Sequence, residues 1–211
     1  MIRVILVDDH AVVRMGFRML LQAEGSGMQV VGEAADGDAL LQLLPGVPAD
    51  VIVMDLSMPG LGGLETLRRL RARAGAPPVL VLSAHEDSAH PRRALNAGAL
   101  GYLSKRSAPE TLPEAVRAVA AGRRYLDPQT AQTLAMSQVS GAASPFDALS
   151  EREFEVFVQL ARGRAVVDIA QQLNLAPSTV GTHQYNIKQK LHATNQAELT
   201  LLALQWGAID T

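Results

Sequence analysis

The sequence predicts an α/β domain built on a parallel sheet, followed by an all-α domain of four helices. Three observations predict this order. Short runs rich in Val, Ile and Leu alternate with helical patterns early in the chain, no strand signal follows Ser150, and four helical patterns do. Runs that are apolar on both faces are typical of parallel strands covered by helices on both sides.

The first domain, residues 1–121, is predicted to contain five strands and five helices in alternation. The strands are IRVILV, MQVVGEA, DVIVMD, PVLVLSA and ALGYLSK, and the helices occupy residues 10–23, 37–44, 63–72, 88–97 and 109–121. In sheets of this kind, ligands bind outside the carboxyl ends of the strands. Polar residues at those ends are therefore the first candidates for a functional site.

Residues 122–147 are predicted to form a linker, because residues 129–143 are rich in Gln, Thr, Ser, Ala and Gly and carry almost no charge. Pro128 suits the first turn of a helix, so the segment can begin as one. The second domain, residues 148–211, is predicted to contain helices over residues 151–162, 167–173, 177–191 and 195–205. Ser150 followed three residues later by Glu153 is a capping box at the start of this domain.

Composition limits the possible chemistry and location of the protein. The absence of cysteine excludes a disulfide framework, a thiolate nucleophile and a cysteine-based zinc site. The N-terminal apolar run is too short for a signal peptide, and no apolar stretch is long enough to span a bilayer. A net charge of −2 neither indicates nor excludes a nucleic-acid partner. We therefore expect a soluble protein of the cytoplasm.

Three carboxylates are predicted to converge at one edge of the sheet. Asp8 and Asp9 follow the first strand and Asp55 ends the third, and these strands are usually neighbours in doubly wound sheets. Like charges this close repel one another unless a cation lies among them. Oxygen ligands with open positions suit Mg²⁺, which keeps waters and binds beside phosphate oxygens.

Two further strand ends supply a hydroxyl and an ammonium. Ser83 ends the fourth strand, and Lys105 follows the fifth. Carboxylates, a metal ion, a hydroxyl and a lysine around one point are the groups that a phosphoryl group requires. The alternative is that Asp8 or Asp9 only caps the helix that begins near His10. Polar residues at four corresponding strand ends favour the phosphoryl site.

These residues resemble those of the receiver domain of two-component response regulators. The resemblance covers residues 1–121 and rests on Asp8-Asp9, Asp55, the MPGLGG turn, Ser83-Ala84 and Lys105. It implies a flavodoxin-like doubly wound fold, with Asp55 as the phosphoacceptor for a sensor histidine kinase. It implies a magnesium ion held by Asp8, Asp9, Asp55 and the backbone carbonyl of Ser57. It also implies a set of phosphoryl-binding and switch residues: Ser83, Ala84, Tyr102 and Lys105.

The second domain resembles the LuxR-type DNA-binding domain. A short helix, a tight turn and a longer helix that starts at Pro177 have helix-turn-helix geometry. The resemblance covers residues 149–208 and rests on LSEREFEV, Ile169-Ala170, Leu173, Ser178-Thr179-Val180, His183, Ile187 and Lys190-Leu191. A receiver followed by this domain is the architecture of NarL/FixJ-type response regulators. These are transcription factors, so we expect a regulator rather than an enzyme.

Positions on the second helix of the motif indicate the DNA contacts that the resemblance implies. The set comprises Ser178, Thr179, Gly181, Thr182, Gln184, Tyr185 and Lys188. Gly181, Thr182 and Tyr185 hold the positions that touch bases, whereas Thr179, Gln184 and Lys188 are candidates for phosphate contacts. The alternative for each of them is an ordinary surface residue.

The second domain departs from the LuxR pattern in its caps and its charge. The family usually has a polar cap where this chain has Arg164-Ala165-Val166-Val167 and a serine where it has Ala176. A missing cap costs about 1 kcal/mol. Gly181 stands where the family often has a basic residue. From residue 149 onward, the chain has five Lys and Arg residues and six Asp and Glu residues. Any DNA-binding surface must therefore be local, because phosphate contacts supply most non-specific affinity.

Three functions follow from these patterns. The first is a transcription factor that a histidine kinase phosphorylates on Asp55 and that then dimerises on double-stranded DNA. The second keeps the receiver but binds a protein partner through the uncapped, apolar Val166-Val167. The third is an aspartate-based hydrolase, which the sequence disfavours because such enzymes require a second carboxylate where this chain has Ser57.

Overall fold

The computed structural model describes residues 1–58, 60–84, 89–138, 145–173, 175–206 and 208–209. These residues divide into two compact units, one built mainly from residues 1–134 and the other mainly from residues 135–211. Among the described residues, none of the helices has the length and apolar character needed to cross a bilayer.

The first unit is a parallel α/β fold, as the sequence predicted. The strands are β1 (Ile2–Val7), β2 (Met28–Ala34), β3 (Val51–Asp55), β4 (Val79–Ser83), β5 (Gly101–Ser104) and β6 (Tyr125–Leu126). The helices are α1 (Ala11–Leu21), α2 (Gly37–Leu43), α3 (Gly63–Arg71), α4 (Ala89–Ala97) and α5 (Ala108–Ala120). The strand order is β2-β1-β3-β4-β5-β6, with every pair parallel.

Both faces of the sheet are buried, because side chains alternate between two hydrophobic clusters. Ile5, Ile52 and Val81 point into one cluster together with Leu40 of α2 and Leu67 of α3. The neighbouring residues of the same strands point into the other cluster, which includes Leu112 and Val116 of α5. Burial of this kind explains why the strand sequences are almost continuously apolar.

A sixth strand corrects the prediction of five strands. Tyr125 and Leu126 lie parallel to Gly101 and Tyr102 of β5. A strand of two residues is too short to give a periodic apolar pattern, so only its pairing with β5 reveals it. β6 falls within the segment 122–147 that was predicted to be a linker. The next element, α6 (Pro128–Gln138), begins at the proline that the sequence marked as a first helical turn.

Among its described residues the second unit contains four helices after residue 150, in agreement with the sequence. They are α7 (Glu151–Ala161), α8 (Val166–Gln172), α9 (Pro177–Leu191) and α10 (Gln196–Gln205), preceded by a 3₁₀ turn at Pro145–Ala148. Their core includes the rings of Phe146, Phe154 and Phe157, which are tilted against one another with centroids 4.7 to 5.9 Å apart. The predicted capping box is present: Ser150 and Glu153 exchange hydrogen bonds at the start of α7.

Candidate phosphoacceptor site and nucleic-acid interface

The polar residues at the strand ends meet at one edge of the sheet. β1 and β3 are direct neighbours, and Val7 pairs with Met54, so Asp8 lies beside Asp55. Ligand atoms of Asp8, Asp9, His10 and Asp55 all lie within 4.8 Å of one another. The fold thus brings together the three carboxylates that the sequence predicted and adds an imidazole beside them.

Lys105 joins this group from β5. Its Nζ donates to Asp55 Oδ2 at 2.6 Å and to Asp8 Oδ2 at 2.8 Å. Its backbone N–H donates to the carbonyl of Ser83 at 2.8 Å, which fixes the lysine against the end of β4. One ammonium therefore spans two carboxylates that come from adjacent strands.

For both Asp55 and Lys105, burial and the neighbouring charges shift the pKa in opposite directions. Burial raises the pKa of Asp55 above its ordinary value, although Lys105 and the backbone N–H of Ser57 act to lower it. Burial alone would lower the pKa of Lys105, but the carboxylates of Asp55 and Asp8 outweigh it and raise that pKa. Lys105 is accordingly a fixed positive charge at neutral pH, while protonation of Asp55 begins at a higher pH than for an exposed aspartate.

The loop after β3 holds Asp55 from the other side. The backbone N–H of Ser57 donates to Asp55 Oδ1 at 3.1 Å. Gly63 begins α3 against the same loop, and a Cβ added there would lie 2.6 Å from the Cα of Leu56. Gly60 and Gly62 have φ near +75°, which favours glycine. The glycines at positions 60, 62 and 63 thus allow the backbone after β3 to stay beside the carboxylate.

The acidic residues fit a divalent cation. Asp9 Oδ1 is buried and accepts no hydrogen bond, although Nδ1 of His10 lies 2.9 Å away. An unsatisfied carboxylate oxygen beside two further carboxylates is the environment that a hard cation such as Mg²⁺ stabilises. His10 is the N-cap of α1 and its side chain makes no capping hydrogen bond, but Asp8 Oδ1 accepts from the backbone N–H of His10 at 2.8 Å, so Asp8 also supports the turn that leads into α1.

Arg14 supports the loop that carries these carboxylates, and sequence reasoning missed it. Its Nη1 donates to the carbonyl oxygen of Asp8, and its Nε donates to Glu33 of β2 at 2.9 Å. Arg14 follows His10 by four residues, which places it one helical turn away. That spacing was the available signal, but the sequence did not indicate that the side chain turns back toward the strand end.

The two residues of the predicted switch pair are both fully buried. Ser83 ends β4, and Tyr102 lies in β5, where it pairs with Val81. Ala84, the neighbour of Ser83, is exposed. The pair therefore occupies adjacent strands next to the carboxylates, although the tyrosine side chain belongs to the hydrophobic core that includes Ile52 and Val81.

The second unit carries the predicted helix-turn-helix. α8 and α9 begin after Ala165 and Ala176, and neither alanine can make a side-chain capping hydrogen bond. Val166 packs against the core, whereas Val167 is exposed. The missing caps noted in the sequence are therefore real features of the helix ends.

One face of α9 is free of the core. Val180, Ile187 and Leu191 are buried, and the predicted contact residues lie on the other sides of the helix. Four of those residues are exposed: Ser178, Thr179, Thr182 and Tyr185. Three are partly exposed: Gly181, Gln184 and Lys188. Tyr185 shows 65% of its surface, which is unusual for an aromatic residue in an isolated unit.

Internal ion pairs occupy some of the cations of this unit. Lys190 of α9 pairs with Glu153 of α7 at 2.6 Å, and Arg152 pairs with Glu155 at 2.7 Å. Lys188 instead donates to the carbonyl of Thr194 at 3.3 Å and remains on the surface. The acids of α7 thus bind cations within the unit, which leaves Lys188 as the cation on the predicted contact face of α9.

Comparison with known proteins agrees with both units. Residues 4–117 match the family model described as the response regulator receiver domain, and residues 147–203 match bacterial regulatory proteins of the luxR family. Response regulator UvrY of Escherichia coli K12 is 40% identical over 98% of this chain and 95% of its own. Response regulator GacA of Pseudomonas aeruginosa is 42% identical over 100% of this chain and 99% of its own.

Solved structures of response regulators resemble this chain in fold. A complex of the two-component response regulator RcsB with DNA has a TM-score of 0.60 and 29% identity, covering 97% of this chain and 98% of that one. A LuxR-family response regulator from Aurantimonas has a TM-score of 0.62 and 42% identity, covering 65% of this chain and 98% of that one.

Proposed function

We infer that phosphorylation of Asp55 switches the sheet unit and that the helical unit responds by binding DNA. This inference follows because the chain belongs to the NarL/FixJ-type two-component response regulators. The protein is a DNA-binding regulator of transcription. The observation that carries the assignment of Asp55 is the ammonium of Lys105, which lies 2.6 Å from Asp55 and 2.8 Å from Asp8. The domain boundaries at residues 121 and 147 stay predictions.

Asp55 is the proposed nucleophile. Its carboxylate attacks the phosphorus of a phosphohistidine on a sensor histidine kinase, so that an O–P bond forms while the P–N bond breaks and the electron pair leaves with the imidazole nitrogen. Lys105 stands beside the carboxylate to offset charge on the transferred oxygens. The backbone N–H of Ser57 orients the other carboxylate oxygen.

Asp8, Asp9, Asp55 and the carbonyl of Ser57 would hold Mg²⁺, and Ala84 adds a backbone group near the phosphoryl oxygens. The ion, when bound, neutralises charge on those oxygens and on the carboxylates. Ser83 and Tyr102 are the proposed switch pair, because both are buried in adjacent strands beside Asp55. A hydrogen bond from Ser83 to the phosphoryl group would shift the population toward a second state.

The exposed face of α9 is the proposed DNA surface. Thr182 and Tyr185 project from it next to Gly181, whereas Ser178, Thr179, Gln184 and Lys188 are suited to phosphate contacts. A homodimer would place two such helices on half-sites about one turn of DNA apart. The complex of RcsB with DNA supports this use of a similar unit.

A protein partner is a second candidate for the helical unit. It is favoured by the exposure of Val167 at the start of α8 and by the pairing of Lys190 with Glu153 inside the unit. Salt separates the two candidates. Affinity for DNA falls steeply as salt rises, because phosphate contacts release counterions. Binding through an apolar patch at Val167 changes little.

The decisive experiment is selection from a random duplex library at low salt, with Mg²⁺ and beryllofluoride present or absent. The Asp55→Asn variant is the matched control, because it keeps the shape of the site and loses the nucleophile. We expect a motif with half-site symmetry that is enriched mainly in the treated wild type. Equal enrichment in Asp55→Asn would contradict control by Asp55, and no enrichment from folded protein would favour the protein partner.

A further inference from the structure

The carboxylate of Asp127 lies at the junction of β6 and α6 and takes no part in the chemistry described above. Only 1% of the residue is exposed. A buried carboxylate requires hydrogen bonds to replace the water it has lost. The donors that satisfy Asp127 therefore show what it connects.

Two of these donors belong to α6. Asp127 Oδ1 accepts from the backbone N–H of Thr130 at 3.0 Å, and Oδ2 accepts from the hydroxyl of Thr130 at 2.7 Å. This is the geometry of an N-cap, so Asp127 fixes the first turn of the helix. The third donor lies on another element: the backbone N–H of Ser104, at the end of β5, lies 3.2 Å from Oδ2.

Ser104 directly precedes Lys105. Consecutive residues of a strand direct their backbone N–H groups to opposite edges. The N–H of Ser104 accordingly reaches Asp127, while the N–H of Lys105 reaches the carbonyl of Ser83 at 2.8 Å. Asp127 and Ser83 thus hold the two sides of the same dipeptide. A displacement of the Lys105 backbone must alter at least one of these hydrogen bonds.

The pairing of β6 with β5 keeps this connection short. A Cβ added to Gly101 would lie 3.2 Å from the carbonyl oxygen of Tyr125 and 2.8 Å from side-chain atoms of Leu80 and Val119. The absence of a side chain at Gly101 therefore allows β6 to lie close to β5. The two residues of β6 lead directly into Asp127 and the start of α6.

We propose that Asp127 is a positioning residue that couples the phosphoryl site to α6. The proposal rests on the proposed function, because it takes Lys105 as the group that binds the phosphoryl oxygens. A phosphoryl group on Asp55 adds three oxygens beside an ammonium that now bonds Asp55 and Asp8. Lys105 then changes partners, Ser104 moves with it, and the hydrogen bond to Asp127 transmits the movement to the cap of α6.

Amide hydrogen exchange of the full chain in Mg²⁺, with and without beryllofluoride, tests this coupling. In the wild type we expect beryllofluoride to change the exchange rates of the Ser83 and Lys105 amides. We also expect it to change the exchange rates of Ser104 and of the first turn of α6 by about fivefold, the effect of one typical hydrogen bond. Asp127→Asn keeps a good N-cap but loses one acceptor oxygen. We expect it to retain the response at Lys105 and lose the response in α6.

Thr130→Val is the matched control, because it removes a donor to the same carboxylate without touching Ser104. It should keep the response in α6. A full α6 response in Asp127→Asn overturns the coupling. A wild type that responds at Ser83 and Lys105 but not in α6 also overturns it, and that result does not depend on how the variant folds. No response at any amide of the wild type would instead refute the phosphoryl site itself.

Discussion

Lys105 lies 2.6 Å from Asp55 although 50 residues separate them in the chain, and the same ammonium reaches Asp8 at 2.8 Å. The contact depends on the strand order, which places β3 between β1 and β4 and places β5 next to β4. Two carboxylates and one ammonium from three strand ends therefore form a charged and largely buried site.

Lys105→Met should slow phosphorylation of Asp55 by a small phosphodonor such as phosphoramidate on the order of a hundredfold, the usual cost of losing one group that stabilises transferred oxygens. It should also move the pH dependence. Lys105 lowers the pKa of Asp55, which burial raises, so its removal raises that pKa further. The rate then falls at a higher pH than in the wild type as acid protonates the nucleophile. Arg106→Met, measured in the same phosphorylation assay, is the control and should leave the pH midpoint of the phosphorylation rate unchanged. If Lys105→Met leaves that midpoint unchanged too, this account is contradicted.

Mg²⁺ should stabilise the wild type and not Asp9→Asn. An ion that binds only the folded state adds about 1.4 kcal/mol when its free concentration is ten times the dissociation constant. Asp9 Oδ1 is buried and accepts no hydrogen bond, so its replacement removes a ligand and costs only the contact with the exposed imidazole of His10. Urea unfolding with and without Mg²⁺ measures the difference, and NaCl at the same ionic strength controls for screening. An equal gain in both proteins would place the ion elsewhere.

Glu153→Gln should lose stability in a pH-dependent way. Burial raises the pKa of Glu153, but hydrogen bonds from Lys190 and Ser150 outweigh it, so the pKa is lowered on folding. A lowered pKa means that the contribution is present above the pKa of the unfolded chain and is lost as pH falls through the folded value. Glutamine retains the capping box, so the loss is at most about 1 kcal/mol for a partly exposed ion pair. The free energies of unfolding of the wild type and Glu153→Gln, measured as a function of pH, should converge in acid. A difference that stays constant with pH would exclude an ionic origin.

Ala176→Ser should stabilise the helical unit by about 1 kcal/mol, because it supplies the missing cap at the start of α9. Ala197→Ser is the control, since Ala197 is exposed in the first turn of α10, where Asn195 already supplies the cap. Chemical unfolding monitored by the fluorescence of Trp206 reports on this unit. The cap explanation fails if both serine variants change stability alike.

Lys188→Gln should reduce the salt dependence of DNA binding. Removing one phosphate contact lowers the slope of log affinity against log salt by about 0.9. Thr182→Val keeps the shape of the side chain and removes its hydroxyl, so it should change the preferred sequence and leave the slope unchanged. Fluorescence anisotropy at four salt concentrations on the selected duplex measures both. A slope that Lys188→Gln leaves intact would remove this lysine from the interface.

The sequence by itself determined the elements, because local patterns encode them. Doubly apolar runs specified five strands, Ser150 and Glu153 specified the start of α7, and Pro177 specified the start of α9. The set Asp8, Asp9, Asp55, Ser83 and Lys105 was also identified from the sequence, since parallel strands end at a common edge. Two features could not be predicted from the sequence. β6 has only two residues, too few for a pattern, and nothing near Arg14 indicates that its side chain turns back toward the strand end.

Only the tertiary structure decided how those residues act on one another. Neither the ammonium that spans Asp8 and Asp55 nor the unsatisfied oxygen of Asp9 can be derived from spacing along the chain. Asp127 looked like part of a linker, yet its burial and its contact with Ser104 arise from the pairing of β6 with β5. Distances across strands depend on register and packing, which the whole fold sets at once, whereas helix caps and apolar periodicity depend on a few neighbouring residues.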